Sequence, residues 1–218
     1  MMGVDGLWRL EISDRNSKIS DSIQDEMLLG DLLSHDTLYS HYPDLAKIKV
    51  FIETAGMGGR IDPGVMGLAD SSNNLIVLNR KLLSDTEQLR SVLHHEVQHM
   101  IQDNEGYAPG GSPSQFIDDY DTKSRRLSTL REIVEDPRSA NEDYYTDAVK
   151  QYTSLKLDLQ NAHNLYTRLA GEQEARIVQS RMNMTDLQLM IESPYGVSGI
   201  RPIEFLRMQN DGNVYSVE

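Results

Sequence analysis

His95 and His99 stand four residues apart in Ser91–Gln102, SVLHHEVQHMIQ. Four residues make slightly more than one α-helical turn, so on a helix both imidazoles project to the same side and reach one shared cation. Glu96 follows about 100° round from His95, close enough to touch a water on that cation without being a ligand. This pentad constrains the chain more than any other feature. Its segment must be helical, one helix face must line an opening, and a third ligand must come from elsewhere. Ser84-Asp85-Thr86-Glu87 reads as a capping box that opens the helix. Leu89, Val92, Leu93, Val97, Met100 and Ile101 supply its buried face. Gly106, Pro109, Gly110 and Gly111 close it.

His95-Glu96-Val97-Gln98-His99 is the HExxH pattern of zinc hydrolases. A chance match in a chain of this composition is roughly a 1 in 100 event, so the remaining sequence has to complete the site. The chain has no cysteine, which excludes disulfides, thiolate catalysis and cysteine-ligated zinc. Zinc must then be held by His and Asp/Glu, and three such ligands with one open position are typical of catalytic zinc. The best source of a third ligand is Leu169–Arg176, LAGEQEAR. Its small residues Ala170, Gly171 and Ala175 let a helix approach closely enough for a short glutamate side chain to reach a shared metal. Glu172 and Glu174 point about 200° apart on a helix, so one of them at most ligates. His94 reads as a neighbour without metal, and His35, His41 and His163 as structural or exposed. Asp103, four residues after His99, is a candidate to hold a ligand histidine from behind or a solvated carboxylate at the helix end.

A chain of 218 residues, 39% hydrophobic and 25% charged, suits one soluble domain with or without a tail. The formal net charge of −13 argues against a nucleic-acid surface, which needs clustered Lys and Arg. No apolar run approaches the length of a membrane span, and the N-terminus has neither the basic nor the apolar region of a secretory signal.

Strand patterns fall at 7–12, Ala46–Glu53, Val65–Ala69 and Leu75–Leu78, with turn chemistry at Asp70–Asn74. Ile19, Ile23, Met27, Leu28 and Leu32 predict a helix over Ser17–His35. After the pentad helix the chain reads as helical at Lys123–Glu135, Ala140–Asn161, His163–Met182 and Thr185–Glu192, with a break at Asp136-Pro137. The class is α+β: a small twisted, antiparallel or mixed sheet, the pentad helix, then a mostly helical half. Residues 1–193 form the expected domain and 194–218 a C-terminal tail or partly ordered extension.

His95–His99 with a later Glu-x-x-Ala (Glu172 to Ala175) resembles the gluzincin metallopeptidases. More closely, the chain resembles the zincin-like domains of large polyvalent proteins carried by phages and mobile elements. The matching segments are 5–12 (DGLWRLEI), 29–33 (LGDLL), 42–45 (YPDL), His94–Gln102, 105–111 (EGYAPGG) and Leu169–Arg176. The resemblance implies a zincin-like fold and Zn2+ held by His95, His99 and Glu172, the first glutamate of Glu-x-x-Ala. Glu96 would be general base to a zinc-bound water in peptide-bond hydrolysis. Tyr166 or Tyr107 is a candidate to stabilise the oxyanion, against ordinary packing. Leu75–Asn79 would be the cleft-edge strand that pairs with an extended substrate.

The expected partner is a protein or peptide substrate, with no nucleic acid and no membrane, and the oligomeric state is open. The expected location is the bacterial host cytoplasm, or delivery with a virion, rather than secretion by a signal peptide. The alternatives are a zinc-binding interaction module without proteolytic activity and a zinc amidase acting on another amide bond.

Overall fold

Lys49–Glu53 alternates buried Val50 and Ile52 with outward residues, as a half-buried strand does, while Leu75–Asn79 is buried along most of its length. In the computed structural model, which describes residues 11–56, 59–61, 64–106, 110–194, 206–208 and 214–216, these two segments are neighbours in the principal sheet. The elements in chain order are β1 (Lys18–Ile19), β2 (Glu26–Leu28), α1 (Leu29–Leu32), β3 (Leu33–Ser34), α2 (Asp36–His41), β4 (Lys49–Glu53), β5 (Gly67–Asp70) and β6 (Leu75–Asn79). There follow α3 (Thr86–Asn104), α4 (Tyr120–Glu135), α5 (Tyr145–Tyr166), α6 (Ala170–Arg181), α7 (Asp186–Ile191), β7 (Leu206–Met208) and β8 (Val214–Ser216). The protein is α+β.

The principal sheet is mixed, in the order β2-β4-β6-β5. β4 and β6 run parallel, with Val50 opposite Ile76. β5 is antiparallel to β6, with Gly67 opposite Leu78 and Ala69 opposite Ile76. β6 is thus an interior strand, not the cleft edge expected of it, and β5 holds the edge position. The turn between them follows its sequence: Asp70 caps Asn73 through its carboxylate, and Asn74 takes the left-handed conformation (φ 53°) that asparagine tolerates. Leu29, Leu33, Ile48, Ile76, Leu78, Leu82 and Leu93, each at most 1% exposed, join the sheet to α1 and α3. Each such side chain contributes about 1.5–3 kcal/mol by burial.

Three sequence expectations need correction. Ser17–His35 is three short strands and one helical turn, not a helix. Its apolar spacing fits a helix, but β1 pairs with β3 and β2 with β4, and these tertiary pairings override local propensity. His163–Met182 is also not continuous: α5 ends at Tyr166 and α6 begins at Ala170. No glycine or proline marks that break. Leu169 is fully buried and forms an isolated parallel bridge with Leu206, whose N–H donates to Arg168 O at 2.7 Å. Finally, α3 is capped one residue later than the capping box implies. Asp85 Oδ1 accepts from Gln88 N at 3.0 Å, while Ser84 Oγ donates to Lys81 O.

The strand pattern at 7–12 lies mostly outside the described residues. The 194–218 region contains a hairpin, β7 with β8. Among the described residues no helix is long and apolar enough to cross a membrane.

Candidate metal centre

α3 carries its polar residues on two fronts. His95, Glu96, His99 and Asp103 line a cleft together with Gly67, Leu68 and Ala69 of β5, Gly110, Gly111, Tyr166 and Glu172. On the helix's other flank, Arg90 and His94 are buried in a separate polar cluster. His94 Nε2 lies 2.8 Å from Ser17 Oγ, and its Nδ1 lies 3.5 Å from Asp14 Oδ1. His35 Nε2 meets the same carboxylate oxygen at 2.9 Å, and Arg90 reaches Asp14 O and Ser17 Oγ. Burial, with a smaller contribution from the Arg90 guanidinium, pushes His94 down to about 4 against the pull of Asp14. His94 therefore belongs to the scaffold. So does His35, the N-cap of α2.

The first turn of α6 brings Glu172 against the two histidines of α3. His99 Nε2 and His95 Nε2 are 3.1 Å apart, Glu172 Oε1 is 3.3 Å from His99 Nε2, and Glu172 Oε2 is 3.5 Å from His95 Nε2. Four tetrahedral ligands on zinc at its usual bond lengths have edges of roughly 3.3–3.4 Å, and the separations of His99 Nε2 from His95 Nε2 and from Glu172 Oε1 are close to such edges, with the second carboxylate oxygen turned toward His95. Glu172 is 1% exposed, and its Oε2 has no hydrogen-bond partner among the described residues. A buried anionic oxygen left in this way is costly unless a cation meets it. These three residues could hold a metal ion. Glu174, two positions on, faces a different cavity shared with His94 and Arg181.

The glycines make this convergence possible. A Cβ on Gly110 would stand 2.6 Å from His99 Nδ1 and 3.2 Å from Glu172 Oε1, so no other residue fits there unshifted. Gly111 N–H donates to Glu172 Oε1 at 3.3 Å. In the sequence these glycines read as turn formers, and the fold shows how closely the Gly110 backbone lies over His99 and Glu172.

Electrostatics divide the cluster. Burial opposes charge on His95, but the facing Glu172 and the nearby Glu96 outweigh it and leave His95 raised. In His99 burial wins and the ring is lowered. Burial also opposes charge on Glu172, yet the two histidines and Tyr166 hold its carboxyl below the ordinary value. Glu96, 6% exposed, is pushed by burial up to about 7, with His95 and the Ala69 backbone restraining the rise. Tyr166 lines the cleft and faces Glu172, and burial with that carboxylate raises its phenol. Tyr107 lies outside the described residues. Arg176, exposed one turn after Glu172, places positive charge near both histidines.

Asp103 lines the cleft, but the Nδ1 of His99 is met by Gln102 Oε1 at 2.9 Å instead. The corresponding nitrogen of His95 meets Gln179 Oε1 at 3.1 Å. Neither glutamine stood out in the sequence. Gln102 was visible as a residue three positions after His99, on the same side of a helix, whereas Gln179 had no local signal.

No protein-family model, curated protein or solved structure matches the chain. What the cleft does has to be argued from its residues.

Proposed function

We propose that the chain is a zinc-dependent peptidase of the zincin-like, gluzincin type, with His95, His99 and Glu172 as the ligands and Glu96 as the general base. The observation that carries this reading is the meeting of two histidines and a buried glutamate from separate helices, with a second buried carboxylate of raised pKa beside them. Zinc bound there would supply Lewis acidity toward a scissile carbonyl and the attacking water.

The remaining chemistry falls to the chain's own residues. A carboxyl near pH 7 both takes a proton and returns it to a leaving amine without a large penalty either way, which suits Glu96 to both steps. Tyr166 keeps its proton at all ordinary pH, and its hydroxyl, bonded to Glu172 here, is the donor that would turn to a developing oxyanion. β5 supports the peptide reading. As an edge strand it has no strand neighbour on one side, where an extended chain could pair, and Gly67, Leu68 and Ala69 run along the cleft, with the Ala69 backbone bonded to Glu96.

The test compares the native chain with Glu96→Gln for zinc content and for cleavage of a proteome lysate. One zinc per chain in both, with cleavage only by the native protein, is the expected result. Equal zinc and identical cleavage profiles would overturn the peptidase reading and leave a zinc-binding module.

A further inference from the structure

Each candidate ligand histidine has its far ring nitrogen occupied by a glutamine, and each glutamine is itself anchored to the backbone of a helix. Gln179 Oε1 meets His95 Nδ1 at 3.1 Å, and its Nε2 donates to Ser91 O at 3.1 Å and to Ser91 Oγ at 3.2 Å. Gln102 Oε1 meets His99 Nδ1 at 2.9 Å, and its Nε2 donates to Gly171 O at 3.0 Å. A backbone carbonyl only accepts, so each amide must turn its NH2 to the carbonyl and its oxygen to the ring. An amide oxygen also only accepts, so each ring must carry a proton on Nδ1.

We propose that Gln102 and Gln179 are positioning residues that fix both histidines as the Nδ1–H tautomer, so that both Nε2 lone pairs face Glu172 before any cation arrives. The proposal rests on the metal reading above. It leaves the 3.1 Å contact between the two Nε2 atoms without a proton. With the ring protons committed to the glutamines, neutral rings have no hydrogen to share there, and the contact sets lone pair against lone pair until a cation relieves it. The two links run in opposite directions. Gln179 reaches from α6 to the backbone of α3, and Gln102 from α3 to the backbone of α6. Ring orientation is therefore tied to the spacing of the helices that supply all three ligands. Both partners are neutral, so they orient the rings without adding a negative charge to a centre that already holds Glu172 and Glu96.

The experiment pairs zinc affinity, by competition with a chromophoric chelator, with 15N NMR of the histidine side chains in the metal-free protein above neutral pH. In the native chain both rings should show the Nδ1–H tautomer. Gln179→Met and Gln102→Met should lose that preference at the ring concerned and weaken zinc binding by about 10–100-fold. Gln179→Glu keeps an acceptor for His95 but gives up the donor to Ser91 O, and should keep the Nδ1–H tautomer at that ring. Nε2–H rings in the metal-free native protein would overturn the proposal without reference to any variant. Native zinc affinity in Gln179→Met would overturn it too. Nδ1–H rings in a protein that takes up no zinc would support the tautomer assignment and sink the metal reading instead.

Discussion

A Cβ at Gly67 would stand 2.4 Å from Oε1 of Glu96 and 2.8 Å from its Cγ. The edge strand and the candidate base are in contact with no spare volume between them. Gly67→Ala must therefore move the carboxylate or the strand. The expected cost is about 1–3 kcal/mol of stability, as for other overpacked sites. Hydrolysis should fall by about 100-fold, the effect of misplacing a reacting group by a fraction of its contact distance. Zinc content should stay at the native level, because the atoms nearest the added Cβ belong to Glu96 and Val92 rather than to His95, His99 or Glu172. Zinc analysis, denaturant unfolding and a peptide assay on the same preparation check all three.

Glu172 and Glu174 sit two residues apart and face different cavities. Glu172→Ala should no longer retain zinc through gel filtration, and Glu174→Ala should retain it while losing about 1–3 kcal/mol from its buried position. Zinc loss in the second variant and not the first would reassign the ligand.

Removing the metal should lower stability by mass action. With free zinc at about 100 times its dissociation constant, binding adds about 2.7 kcal/mol to the folded state. Thermal melts with and without a chelator should separate accordingly. Glu172→Ala should give the same melt in both.

His94 predicts a pH dependence on the other flank of α3. Its folded value of about 4 lies below the ordinary 6.5, so the unfolded chain binds a proton that the folded chain refuses. The stability associated with the neutral ring is present above pH 6.5 and is lost as pH falls toward 4, by about 3 kcal/mol in total. Urea unfolding of metal-free protein across this range, compared with His94→Gln, should show the slope in the native chain and a shallower one in the variant. Equal slopes would mean that burial does not govern this ring.

The pentad helix and the two strands that flank the core were legible because their signals are local: a four-residue histidine step, alternating Val50 and Ile52, and the apolar run Leu75–Leu78. Glu172 was legible through the small residues around it. The segment 17–35 reads as a helix because Ile19, Ile23, Met27, Leu28 and Leu32 satisfy helical spacing equally well, and only pairing with β4 makes Glu26–Leu28 a strand. The break at Leu169 was hidden for the same reason, since its cause, Leu206, lies 37 residues away in sequence. Gln179 could not be found from sequence at all. A glutamine becomes informative only when a fold sets it between a ring and a carbonyl.

The cluster of Asp14, Ser17 and Arg90 around His94 has a consequence for recognition within the chain itself. Two histidines stand side by side at 94 and 95, and a helix turned by one position would offer His94 and Gln98 to Glu172 in place of His95 and His99. The buried contacts to His94 act as an index pin that adds to the buried apolar face of α3, Leu89, Leu93, Val97 and Met100, in fixing its rotational setting. Repeating the histidine creates an ambiguity in address. The protein resolves it away from the cleft, where Asp14 and Ser17 hold His94 and leave His95 as the one of the pair that meets Glu172.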